Sequence, residues 1–170
     1  MSGTPAEQSG TIDAALAHAQ RLLGVDPAAT IEQASEILKV APTHPKALML
    51  LAAGKRAAGN APDALAILRP LAQEQPNAAA VHFELGLALA ATGESEGAVK
   101  AFQQATRLAP NLSDAWRALG DELLAAGDSD GAGQAYAQQI QASVNDPALM
   151  EAAAALCDNK LAVAERLLKA

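Results

Sequence analysis

The chain has 170 residues, about the length of one domain, and 51% of them are hydrophobic while only 2% are aromatic. Alanine (44 residues) and leucine (23) far outnumber valine and isoleucine (11 together), which argues against all-β and doubly wound α/β folds. A net charge of −7 argues against nucleic acid or an anionic membrane surface as a partner.

Three features of the sequence bear on location. Residues 1–10 lack a basic segment followed by an apolar one, so they do not resemble a secretory signal. No run of 18 or more apolar residues predicts a membrane span. The single cysteine, Cys157, cannot form an internal disulfide, which fits a reducing compartment. We therefore expect a cytoplasmic chain with no membrane partner.

The predicted helices follow one another in pairs after a tail at residues 1–10, which is expected to be flexible. Ten helices are predicted, at 11–23, 28–40, 45–58, 62–74, 79–92, 96–109, 113–126, 130–143, 147–157 and 160–169. Asp26 is the predicted N-cap of the second helix, and Pro27 is its predicted first residue. The last pair fits the shared pattern least well.

The helix pairs share a period. Pro42, Pro76 and Pro110 stand 34 residues apart, and each is predicted to follow the end of a second helix. Four kinds of position recur at the same period: a leucine, a small residue in the first helix, a glycine and an alanine. A larger apolar residue then follows. The members are Leu51, Leu85 and Leu119; Ala52, Gly86 and Gly120; Gly59, Gly93 and Gly127; Ala64, Ala98 and Ala132; and Leu68, Phe102 and Tyr136. The glycines suit left-handed helix ends, and the small residues predict a close crossing of two helices.

The repeated pattern resembles the tetratricopeptide repeat. One copy contains His82-x-x-Leu85-Gly86-x-x-Leu89, and the next contains Trp116-x-x-Leu119-Gly120-x-x-Leu123. The resemblance implies an all-α fold, a right-handed α-solenoid of about five helical hairpins with ten antiparallel helices. The implied repeats are about 11–44, 45–78, 79–112, 113–146 and 147–170. We expect this domain to be part of a longer protein.

No group of residues points to catalysis. The histidines His18, His44 and His82 are not at metal-ligand spacing with one another or with Cys157, and no glycine-rich phosphate loop is present. His82 occupies the position of Trp116 in the next repeat, which predicts a packing role. We therefore predict no enzyme activity, cofactor or metal in this stretch.

The resemblance implies that the first helices of the repeats line a concave groove. The predicted groove residues are Lys46, Met49, Arg56, Phe83, Leu87, Asp114, Arg117, Asp121 and Leu124. Three cations around an apolar patch predict a peptide ligand with an apolar anchor and acidic flanks. In the alternative interpretation, Phe83 and Leu87 only pack on adjacent helices. The Lys–Asn clamp of some relatives is absent, because its asparagine positions hold Leu50, Glu84 and Ala118.

These observations favour a non-catalytic scaffold that binds a protein or a peptide. The alternative is an N-terminal arm of a larger enzyme, used for substrate docking or dimerisation. Residues 155–168 resemble the repeats that precede the catalytic domain of bacterial repeat-containing sulfotransferases. A component of a bacterial envelope assembly is a third class, which usually shows a secretory or lipoprotein signal. The apolar end of the chain, residues 161–170, makes self-association an additional expectation.

Overall fold

The structure, a computed structural model, describes residues 5–144 of the chain. These residues form helices and connecting turns, with no strand among them. The helices are α1 (Pro5–Leu22), α2 (Pro27–Val40), α3 (Pro45–Ala57), α4 (Ala61–Glu74), α5 (Ala79–Ala91), α6 (Ser95–Leu108), α7 (Ser113–Ala125) and α8 (Ser129–Val144). The predicted all-α class is confirmed. The two helices predicted at 147–157 and 160–169, and the apolar run 161–170, lie outside the described residues.

The helix bounds agree closely with the prediction. Helices α2 to α8 begin and end within one residue of the predicted positions. The first helix differs, since α1 begins at Pro5 and so includes residues 5–10, which the sequence analysis placed in a flexible tail. Proline is tolerated in a first helical turn, and the alanine, glutamate and glutamine that follow are good helix formers. Gly10 is the poorest helix former after the proline, and the helix nevertheless runs through it.

Capping residues explain why the helices begin and end where they do. The Asp26 carboxylate accepts a hydrogen bond from the Ala29 N–H at 2.9 Å, which confirms Asp26 as the N-cap of α2. Gly59, Gly93 and Gly127 have φ angles of 86°, 80° and 84°, the left-handed conformation that glycine adopts without strain. The repeated glycine therefore marks the end of α3, α5 and α7.

The chain divides into two compact units, Met1–Ala101 and Phe102–Ala170. Within the first unit, each helix from α1 to α5 packs on the next one, and the first helices of the repeats also pack in turn, α1 on α3 and α3 on α5. Within the second unit, α7 packs on α8.

Alanine allows the helices to approach closely, and leucine fills the remaining space. Ala64, Ala98 and Ala132 are almost completely buried, as are Leu50 and Leu68. Burial of these apolar side chains stabilises the hairpins, because each amphipathic helix can remove its apolar face from water only against its neighbours.

Candidate functional site

Helix α3 presents the first group of predicted groove residues. Lys46, Met49, Ala53 and Arg56 are spaced so that they lie on one face of the helix. Lys46 is exposed, whereas Met49 is half-buried against the core of the first two hairpins. Ala53 is fully buried, so at this position the face is covered by neighbouring atoms.

Helix α5 continues this surface within the first unit. Phe83 and Leu87 lie one turn apart on α5, and both are half-buried. Because α5 packs on α3, Met49, Phe83 and Leu87 belong to neighbouring helices, and all three keep part of their apolar surface exposed. We call Lys46, Met49, Phe83 and Leu87 the α3–α5 face.

An ion pair joins the same two helices. The Arg56 Nε–H donates to Glu84 Oε2 at 3.1 Å, and Glu84 is only 9% exposed. Burial raises the pKa of the Glu84 carboxyl above its ordinary value of 4.5, and the attraction of Arg56 offsets only part of that effect. Arg56 therefore compensates a buried carboxylate between two repeats, a role that the sequence analysis did not predict for it.

The raised pKa of Glu84 predicts a dependence of stability on pH. A carboxyl whose pKa is raised by folding favours the folded state most at pH values below 4.5, its ordinary pKa, and this contribution is lost as the pH rises through the folded-state pKa. We expect the free energy of unfolding of the wild type to fall relative to that of Glu84→Gln as the pH rises from about 4 to about 7. The glutamine oxygen still accepts the Arg56 hydrogen bond without carrying a buried charge.

Urea unfolding at a series of pH values measures this difference. Glu74→Gln, at an exposed position at the end of α4, is the matched control and should show no such trend. A wild type that gains stability relative to Glu84→Gln with rising pH would mean that the ion pair outweighs the cost of burial.

Helix α7 carries the remaining predicted groove residues, all within the second unit. Asp114 is exposed, and Leu124 is 53% exposed. Arg117 Nη1 lies 3.6 Å from Asp121 Oδ2, one turn away on the same helix. The Tyr136 hydroxyl donates to Asp121 Oδ1 at 2.8 Å, and this hydrogen bond is the main cause of the raised pKa of Tyr136. The charges of Arg117 and Asp121 are therefore matched by each other on the same helix.

Two rings at equivalent positions of successive repeats make the same hydrogen bond. The Trp116 indole N–H donates to the Pro110 carbonyl at 2.9 Å, and His82 Nε2 lies 2.9 Å from the Pro76 carbonyl. The same bond at both positions indicates that the Nε2 of His82 carries the proton. Each ring thereby ties the beginning of a first helix to the turn before it, which gives His82 a structural role.

A cleft in the second unit was not predicted from the sequence. It has a volume of about 1000 Å³ and is lined by the end of α6, one face of α7 and much of α8. Its apolar floor includes Trp116, Leu119 and Leu123, which recur three and four residues apart on α7. The signal that could have indicated it is a change of residue type at equivalent positions of successive repeats.

Within the described part of the chain, no group of three or more histidine, cysteine, aspartate or glutamate side chains is placed to hold a metal ion. None of the helices over residues 5–144 is both long enough and apolar enough to cross a membrane.

Comparisons with known proteins agree with this architecture. The family model described as "Tetratricopeptide repeat" matches residues 49–113 and 93–148. A structure of MamA from Desulfovibrio magneticus RS-1 is similar, with a TM-score of 0.66 and 20% identity over 80% of this chain and 77% of that chain. A crystal structure of MamA gives a TM-score of 0.62 and 23% identity over 85% of each chain. Similarity at this identity shows the fold alone.

No curated protein matches the chain. Neither the family model nor the MamA structures support the resemblance of residues 155–168 to sulfotransferase repeats, and that segment lies outside the described residues.

Proposed function

Since the chain belongs to the tetratricopeptide repeat family, we propose that it is a non-catalytic scaffold that binds a peptide or a partner domain in a groove formed by its first helices. The observation that carries the proposal is the α3–α5 face, where apolar side chains of two packed helices remain partly exposed. A partly exposed apolar surface on neighbouring helices suits an apolar anchor of a partner.

The charges of the groove residues refine the chemistry of the ligand. Arg56 is engaged by Glu84, and Arg117 lies beside Asp121. Lys46, by contrast, is exposed and forms no hydrogen bond or ion pair with any described residue. The ligand we propose therefore carries an apolar side chain for Met49, Phe83 and Leu87 and an acidic side chain for Lys46.

Selection of peptides from a displayed random library, followed by fluorescence anisotropy with the selected peptides, tests the proposal. We expect Phe83→Ala combined with Lys46→Ala to weaken binding about tenfold or more, since loss of a central aromatic anchor costs about 2 kcal/mol. Helicity measured by circular dichroism should change little, because both side chains are partly exposed.

Val25→Ala is the control for this experiment. Val25 is 84% exposed in the turn between α1 and α2, so its truncation removes apolar surface away from the groove. The single variants Phe83→Ala and Lys46→Ala separate the contributions of α5 and α3. Undiminished binding of the selected peptides by the double variant would remove the groove from consideration.

A further inference from the structure

The cleft of the second unit is open at a position where, in the preceding repeat, an ion pair joins the two sides. In the first unit, Arg69 Nη2 donates to both carboxylate oxygens of Glu94, at 2.8 and 2.7 Å. One repeat later, 34 residues along the chain, the equivalent residues are Gln103 and Asp128. These two residues form no hydrogen bond with each other, and Asp128 instead accepts the Gly131 N–H at the beginning of α8. Both line the cleft.

The floor of the cleft is also more open than the equivalent part of the preceding repeat. In the first unit, Leu89 is only 7% exposed, and a Cβ at Gly97 would lie 3.4 Å from its side chain. The equivalent leucine, Leu123, is half-buried, and the nearest atoms to a Cβ at Gly131 belong to the Asp128 carboxylate. The floor leucine is therefore covered in the earlier repeat and accessible in the later one.

The rims of the cleft are rich in primary amides. Exposed Gln103 and Arg107 come from α6, and exposed Gln134 and Gln138 come from α8. Each glutamine amide offers both a donor and an acceptor. Arg107 bonds to the amide of Gln104 and forms no ion pair with a described carboxylate. The Trp116 N–H is already used by the Pro110 carbonyl, so the indole contributes its apolar surface to the floor.

We propose that this cleft binds an extended peptide segment of a partner protein through its main chain. In an extended peptide, alternate side chains point to one side while the backbone N–H and C=O groups point sideways. Apolar side chains would thus meet the floor at Trp116 and Leu123, and the backbone would meet the glutamine amides at the rims. In a helical ligand, the backbone N–H and C=O groups are hydrogen-bonded to one another, so few of them would be available to the glutamine amides of the rims. An acidic side chain of the peptide would pair with Arg107.

The chain provides its own reporter for a test. Trp116 is its only tryptophan and lies in the floor of the cleft. The probe is a short peptide in which valine and threonine alternate, with one glutamate. We expect the probe to cause a saturable change in tryptophan emission. The same peptide with N-methylated backbone amides should bind at least tenfold more weakly. Equal binding of the N-methylated peptide, tighter binding of an amphipathic helical peptide, or no response to the probe would each overturn the proposal.

Closing the cleft is the decisive variant. Gln103→Arg should recreate the bridge of the preceding repeat by pairing with Asp128, and we expect it to weaken the probe at least tenfold without lowering the unfolding midpoint. Gln139→Arg, on α8 but outside the cleft, is the matched control and should bind normally. A response that survives Gln103→Arg would overturn the site.

The same experiment separates this cleft from the groove of the first helices. Phe83→Ala should leave the tryptophan response unchanged, because Phe83 belongs to the α3–α5 face. A response lost in Phe83→Ala but kept in Gln103→Arg would assign the probe to that face and overturn the cleft. If only the cleft variants give unexpected results, the proposed binding of a partner in the groove of the first helices is not affected.

Discussion

Replacement of Gly120 by leucine is expected to destabilise the second unit by about 3 kcal/mol, the upper part of the usual range for overpacking. Gly120 is buried on α7, where α7 packs on α8. A Cβ at this position would lie 2.6, 2.8 and 2.9 Å from the Cε1, Cδ1 and Cζ atoms of the Tyr136 ring. The ring would have to move, and its hydroxyl would then lose the hydrogen bond to Asp121.

Chemical unfolding followed by circular dichroism measures this loss, and Gly133→Leu is the matched control. Gly133 is exposed on α8, and a Cβ there meets nothing within 4 Å. Leucine is the better helix former, so this control should be as stable as the wild type or slightly more stable. An unchanged midpoint for Gly120→Leu would contradict the predicted close crossing of the two helices.

Truncation of Leu68 to alanine is expected to have the second large effect, a loss of about 2–5 kcal/mol. Leu68 on α4 has no exposed surface and is among the largest fully buried side chains described. Its removal leaves a cavity among helices whose other buried positions include several alanines, and an alanine methyl group has no rotamer that could move to fill it. The free energy of unfolding from a urea titration measures the effect.

Leu124→Ala is the control for this truncation, because it removes the same atoms from a side chain that is 53% exposed. We expect it to cost less than about 1 kcal/mol, in line with the smaller apolar surface withdrawn from water. Similar losses for the two variants would mean that position 68 is not a core position.

The fold could be predicted because its signals are local. Gly59 and its repeat equivalents adopt a positive φ, and Pro42 and its equivalents follow the ends of second helices, so each signal fixes its own turn. Recurrence at one period then supplies the hairpin order. The beginning of α1 was placed too late, because residues 5–10 belong to no period and helix formers alone do not define a boundary.

The functional surfaces were less predictable because they depend on which side chains meet. Arg56 and Glu84 are 28 residues apart, and the sequence does not show that the arginine will be used to compensate that carboxylate. The change from Arg69 to Gln103 is visible in the sequence. Its effect on the cleft can be recognised only once the structure shows that Arg69 pairs with Glu94. The predicted assignment of groove residues on α3, α5 and α7 remains a prediction.

The packing order of the first unit has a consequence for how the chain folds and for how it can gain or lose repeats. Among helices α1 to α5, packing joins only helices that are one or two places apart in the chain, so few contacts require distant segments to meet. Contacts of short sequence separation cost little loop-closure entropy, which favours rapid folding that can begin in any hairpin and spread to the next. For the same reason, excision or duplication of one 34-residue block joins equivalent positions and preserves the contacts within each remaining hairpin. Genetic gain or loss of whole hairpins is thus an accessible route by which such a chain acquires a longer or shorter binding surface.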